Sequence, residues 1–386
     1  MRCAYCFADK GHYGRTIARF MSPQTATQCI DHIVDTYRRI EKVKIIGGEP
    51  LLNCNTLQSA LDALRQVVSD GRLESMPKII LNTNLTVGVN RLSSLLRDYP
   101  MAITVSLDGP EYIHDEFRRF SNGKGSFQIV DSNIRSLLST TGQRILLEVV
   151  YHPNHLEYGF AMPDVHSFLE ERYGSVDVFL HPVSGGKASF KGADHQPTPD
   201  SWHRYTTQMF ELSQSYGRFL VQDAINSNQL DHLINLFIDL MYCKRNDAHC
   251  DVAVKSLTIS ARGTVYPCYI FSGLKDFVMA HNCTPEQLAS DRFSSVQQRF
   301  IANTKSGNPT CAQCDLLKTC HNCPGEMLRR MGALNTVQPI ICDFRLGYAE
   351  GLMLGLHRLL ADRRLGYLLL SYLNNWNHRL ASSAEE

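Results

Sequence analysis

The first half of the chain alternates two kinds of hydrophobic spacing. Behind Ser22-Pro23, an N-cap with proline at the first helical position, Ile30, Ile33, Val34 and Tyr37 recur at helical intervals, predicting a helix through residue 39. Residues 43–46 then read as a short apolar strand. Leu57, Leu61, Leu64 and Val68 mark one face of the next helix, and residues 78–81 the next strand. The pattern continues with a helix at 92–96, a strand at 102–107, a helix at 127–138, a strand at 145–151, a helix at 165–173 and a strand at 176–180. Five strands alternating with helices predict an α/β fold with a parallel sheet or barrel.

Polar residues recur where these strands stop. Gly47, Gly48 and Glu49 follow the first, Asn82 and Asn84 the second, and Ser106 and Asp108 the third. Singly, such residues are ordinary turn formers. In a parallel barrel all these strand ends lie on one face, so together they would line one pocket. A breaker-rich connector runs from Ser184 to Pro197, Thr198-Pro199 opens a helix to about residue 216 with a face at Tyr205, Met209 and Leu212, and residues 233–241 form another helix. The isolated histidines His195 and His232 suggest no role.

Composition fits a globular protein of two or more domains, with 44% hydrophobic and 20% charged residues among 386. A formal net charge of +1 provides no field to favour nucleic acid or an anionic membrane. The pairs Arg329-Arg330 and Arg363-Arg364 read as solvated helix faces. No apolar run approaches the roughly 20 residues of a membrane span. Thirteen cysteines without secretory marks point to metal chemistry in a reducing, cytoplasmic compartment.

The cysteines are patterned. Cys3 and Cys6 stand two residues apart. Downstream come Cys243, Cys250, then Gly263 and Cys268, then Cys311, Cys314, Cys320 and Cys323, and finally Cys342. Thiolate sets of this kind suit zinc as well as iron-sulfur clusters. Cys29, Cys54 and Cys283 fall outside the pattern and read as buried thiols.

The run Cys3-Ala4-Tyr5-Cys6-Phe7 followed by Gly47-Gly48-Glu49-Pro50 resembles the radical S-adenosylmethionine enzymes, whose signature is CxxxCxxC with a GGEP-type motif. The resemblance extends through Ser106-Leu107-Asp108-Gly109-Pro110, His114-Asp115, Arg118 and Gly125-Ser126-Phe127, and the later cysteines are similar to the SPASM pattern. Two departures stand out. The first cysteine of CxxxCxxC would fall upstream of Met1, so the resemblance implies a start within the motif that omits the first strand. The gap between Cys320 and Cys323 holds two residues where the pattern has three.

The resemblance implies a partial (β/α)6 TIM-type barrel over 1–235, a SPASM domain over 236–345 and a helical tail over 346–386. It implies S-adenosylmethionine near Tyr5, Gly47, Gly48, Glu49, Ser106 and Asp108, with a 4Fe-4S cluster on Cys3 and Cys6. Two auxiliary 4Fe-4S clusters would use Cys243, Cys250, Cys268 and Cys323, and Cys311, Cys314, Cys320 and Cys342. Such enzymes cleave the cofactor reductively to a 5'-deoxyadenosyl radical that takes hydrogen from the substrate, with electrons from a donor such as flavodoxin or ferredoxin. The implied activity is peptide maturation, installing a thioether or carbon-carbon cross-link in a ribosomally made precursor. Formylglycine formation by an anaerobic sulfatase maturase is the runner-up, because Cys268 is followed by Tyr269 where those enzymes carry an aspartate. A cluster-bearing scaffold that binds peptide without turnover is the non-enzymatic alternative.

Overall fold

The computed structural model describes residues 1–6, 8, 11–13, 20–174, 176–183, 197–227, 229–241, 247–367 and 371. Phe7, His195, Cys243 and most of the 184–197 connector lie outside the described residues.

Five parallel strands lie side by side in chain order: β1 Lys42–Ile45, β2 Lys78–Thr83, β3 Met101–Ser106, β4 Ile145–Tyr151 and β5 Val176–Pro182. Helices α1 Pro23–Thr36, α2 Cys54–Ser69, α3 Val89–Asp98, α4 Glu111–Phe117, α5 Phe127–Thr141, α6 Pro153–Glu157 and α7 Met162–Tyr173 fill the connections. Sequential order with helical crossovers is the barrel topology, and it aligns the C-terminal ends of all five strands. Ser22 caps α1 as its sequence predicts, its Oγ accepting from Thr25 N at 3.0 Å.

Alternation along the strands separates two faces. On β4, Ile145, Leu147, Val149 and Tyr151 are buried against the helices, while Leu146, Glu148 and Val150 are only partly covered on the inner face. The parallel register sets Ser106 beside Glu148 and Val150 beside His181. On α2 the fully buried set is Leu57, Leu61, Leu64 and Val67; Val67 replaces the predicted Val68 because α1 covers that side with Val34.

The helix predicted over 198–216 is two, α8 Pro199–Thr207 and α9 Met209–Asn226, divided at Gln208. Thr206 and Thr207 turn their hydroxyls back onto Trp202 O and His203 O, at 2.9 and 2.7 Å, a competition with the backbone ladder that weakens a helix at this point. The C-terminal part follows: α10 Leu230–Met241, the antiparallel hairpin β6 Thr258–Ile259 and β7 Val265–Tyr266, then α11 Pro285–Leu288, α12 Asp291–Ile301, α13 Pro309–Ala312, α14 Pro324–Met331 and α15 Pro339–Ala361.

Two cores result. The larger unites the barrel with α8, α9, α10 and α15; the smaller gathers residues 252–300 around Phe271, Phe277 and Phe300 and takes in Cys29 and Ile33 of α1. The boundary predicted at 345/346 falls inside α15, which runs unbroken and contributes Phe344, Leu352 and Leu359 to the barrel core. Its contact with α9 is close enough that Cβ atoms on Gly347 and Gly351 would lie 2.2 Å from Phe210 O and 2.1 Å from Gln214 O. No helix among the described residues is long and apolar enough to cross a membrane.

Candidate active site

The N-terminal cysteine turn is anchored by backbone pairing, with Arg2 N donating to Arg119 O at 2.7 Å and Ala4 N to Phe117 O at 3.0 Å. Cys6 N closes the turn on Cys3 O at 3.3 Å. Burial raises the Cys3 thiol's pKa and the nearby Arg118 charge opposes it. The Tyr5 hydroxyl donates to Asp108, and its ring packs between Phe117, His152 and the Arg118 guanidinium.

Asp108 is the centre of this arrangement. Its carboxylate takes Arg118 Nε at 2.7 Å and a second guanidinium nitrogen at 3.1 Å, together with Val150 N at 3.1 Å. Burial alone would raise its pKa, but the Arg118 charge and hydrogen bonds outweigh it and hold the group ionised well below the usual carboxylate range. Asp108 is 0% exposed and holds Tyr5 and Arg118 in place.

The surrounding motif is an internal network. Asp108 N donates to His114 Nδ1 at 3.2 Å, His114 Nε2 meets Ser126 Oγ at 3.0 Å, and His155 Nε2 meets Asp108 O at 2.7 Å. Asp115 accepts from Ser126 N and Phe127 N at 2.8 and 2.9 Å, capping α5. Position 125 must be glycine, because a Cβ there would stand 1.9 Å from the Asp115 carboxylate.

Glu49 is likewise turned inward. It accepts from Leu51 N at 2.9 Å, Thr83 Oγ1 at 2.7 Å and Asn84 N at 2.7 Å, tying the turn after β1 to the end of β2. Burial raises its carboxyl, against the pull of those donors. What the turn leaves open is backbone. A Cβ on Gly47 would meet nothing within 4 Å, whereas one on Gly48 would lie 3.2 Å from Gly11 Cα, so glycine lets the loop after the cysteines close onto the strand end.

The inner face of the sheet carries groups that the pocket reading omitted. Glu148 of β4 accepts from Asn82 Nδ2 at 3.3 Å and lies 3.8 Å from His181 Nε2. Asn82 Oδ1 is buried without a hydrogen-bond partner among the described residues. Ser106 is adjacent in register. The available signal was a glutamate inside the otherwise apolar strand ILLEVVY. Lys44 of β1 stands over the Tyr269 ring at 5.6 Å, and the Glu148 charge bears on that phenol, so the residue after Cys268 faces the same inner space.

The C-terminal cysteines fall into two groups. Cys250, Cys268 and Cys323 bear electrostatically on one another, with their thiols raised by burial. Cys311, Cys314, Cys320 and Cys342 form the second group, Cys342 presented from the first turn of α15. Lys305, 2% exposed, donates from Nζ to Cys320 O at 3.0 Å and sets a cation beside the second group. Arg329, predicted to be a solvated face, instead bonds Ile270 O at 2.9 Å and lies beside Cys268. Cys29 and Cys283 are buried in the smaller core and share a hydrogen bond there. Cys54 donates to Leu51 O at 3.1 Å.

Residues 1–127 match the model of a 4Fe-4S single cluster domain. The chain is 24% identical over 353 residues to the serine-type anaerobic sulfatase-maturating enzyme of Bacteroides thetaiotaomicron, covering 86% of this chain and 81% of that one. It is also 20% identical over 357 residues to the radical SAM cyclopropyl synthase TigE of Paramaledivibacter caminithermalis, covering 88% of this chain and 69% of that one. A solved structure of native anSMEcpe with AdoMet and a Cp18Cys peptide superposes with a TM-score of 0.69 at 16% identity, over 96% of each chain. The chain therefore shares the fold of that protein.

Proposed function

We propose that this chain is a radical S-adenosylmethionine maturase that cross-links a peptide through a thioether or carbon-carbon bond. The observation that carries the reading is the inner face of the sheet. Glu148, His181 and Asn82 stand there with Tyr269, and the cysteine turn and the Gly47-Gly48 turn are at the same end.

The residues suit the implied groups. Soft thiols at Cys3 and Cys6 fit iron-sulfur ligation, the open space at Gly47 and the unpartnered Asn82 Oδ1 fit a polar cofactor, and the two later thiol groups fit two further clusters. Cys243 would complete the first of these. When bound, S-adenosylmethionine and a reduced cluster supply one-electron chemistry that removes hydrogen from an unactivated carbon. The chain's own residues bind and orient. Gly47 and Gly48 offer backbone to the cofactor, Tyr5 offers the free part of its ring, Ser106 offers its hydroxyl, and Asp108 with Arg118 fixes Tyr5. Glu148 takes the proton released when the substrate is oxidised, at a carboxylate 29% exposed to the inner face and hydrogen-bonded to Asn82.

Sulfatase maturation is the second reading, favoured by the likeness to anSMEcpe over nearly the whole chain. In that case too, Glu148 supplies the base that Tyr269 cannot.

The test is anaerobic reconstitution with iron and sulfide, then reductant and S-adenosylmethionine, on the chain with and without its coding sequence extended upstream to an in-frame cysteine. The peptide of a neighbouring short reading frame is expected to lose a pair of hydrogens and resist thiol alkylation. Formylglycine on a sulfatase-derived peptide would establish the second reading. Iron binding without 5'-deoxyadenosine would leave only a scaffold.

A further inference from the structure

On the helical layer outside the barrel, α7 presents His166 and Glu170 one turn apart on the same face. Asp223 of α9 joins them, so that one ligand atom from each of the three lies within 4.8 Å of the others. His232, which suggested no role in the sequence, bears electrostatically on both Glu170 and Asp223 from α10. We propose that His166, Glu170 and Asp223 form a zinc site with one open position, separate from every cysteine, that clasps α7 and α9.

The geometry is that of a tetrahedral site. His166 Nε2 and Glu170 Oε1 are 3.3 Å apart, the edge of a tetrahedron with bonds of about 2.0–2.1 Å. Tyr216 meets His166 Nδ1 at 3.0 Å, an outer contact that orients the ring and leaves Nε2 toward the carboxylates. His166 is 3% exposed, while Glu170 and Asp223 are partly covered, which shields the site but leaves a way in.

A plain His166–Glu170 ion pair does not account for Asp223. Among the described residues no hydrogen bond reaches its carboxylate. Arg144 also reaches Glu170 electrostatically, but its guanidinium is paired with Asp177 at 2.7 Å. Two carboxylates and an imidazole at one point are a nitrogen-oxygen donor set for a borderline divalent cation, and zinc takes three such protein ligands with water in the fourth position.

The test uses protein whose cysteines are already filled by anaerobic reconstitution with iron and sulfide. It is dialysed against zinc or cobalt, with Asp223→Asn and Glu170→Gln in parallel. The expected result is about one equivalent bound per chain, a cobalt spectrum lacking thiolate charge-transfer bands, and at least tenfold weaker binding in each variant, with unchanged iron content. Added zinc should also raise the melting temperature of wild type alone. Thiolate bands in the cobalt spectrum, no binding beyond the clusters, or equal binding by wild type and variants would overturn the site. These readouts do not depend on turnover, so they stand or fall apart from the maturase reading.

Discussion

Glu148 is the residue on which the chemistry turns most directly. Its carboxylate is held by Asn82 on one side and faces His181 on the other. Replacing it with glutamine keeps the shape and removes the base. Glu148→Gln should keep iron content and cofactor cleavage while product falls by about 100-fold, within the usual range for a lost general base. Peptide product measured against 5'-deoxyadenosine separates this from a folding defect, because misfolding lowers both.

The buried histidines make a second prediction at this scale. Burial pushes His114 down to about 3, and lowers His152 and His155 from the ordinary 6.5. A folded pKa below the unfolded one means that the unfolded chain binds protons first. The stabilisation is complete above about pH 6.5 and is lost as pH falls from there toward 3. Three such groups give a slope of up to about 4 kcal/mol per pH unit within that window. Denaturant midpoints of the cluster-free protein between pH 7.5 and 5 should fall steeply; a flat profile would show that these imidazoles take up protons in the fold as readily as in the unfolded chain.

Among the elements, the pairing of α9 with α15 is the most sensitive to volume. Gly347 and Gly351 bring the helix backbones together, and Gly355 sets α15 against Val221, where a Cβ would lie 2.8 Å away. This contact presents Cys342 to its group, since the cysteine lies in the first turn of the same helix. Gly351→Val must push the helices apart. Overpacking of this kind costs about 1–3 kcal/mol or more. The measurement is thermal unfolding together with iron content. A melting point several degrees lower and reduced loading of the Cys311, Cys314, Cys320 and Cys342 group are expected, whereas the same change at Gly71, with nothing within 4 Å, leaves iron content intact.

At the scale of the whole molecule, two cores meet at α1, and the cysteine groups draw on segments far apart in the chain. Much of this was legible beforehand. The five strands and most helices followed from periodicity, because each βα unit buries one face against its neighbours and so keeps its spacing.

The sequence by itself determined the class of fold, the turn at Gly47-Gly48, the caps such as Ser22 and the identity of the thiol groups, since each rests on local conformation or on residue type. Tertiary structure decided which polar groups face inward. Glu49 bonds Thr83 and Asp108 bonds Arg118, neighbours far along the chain that only folding brings up. Glu148 stood out in the sequence only as a charge within an apolar strand, and packing alone brings it to Asn82 and His181. The split at Gln208 and the continuity of α15 across residue 345 were also settled there. Periodicity records that a residue is covered, but not which distant group covers it.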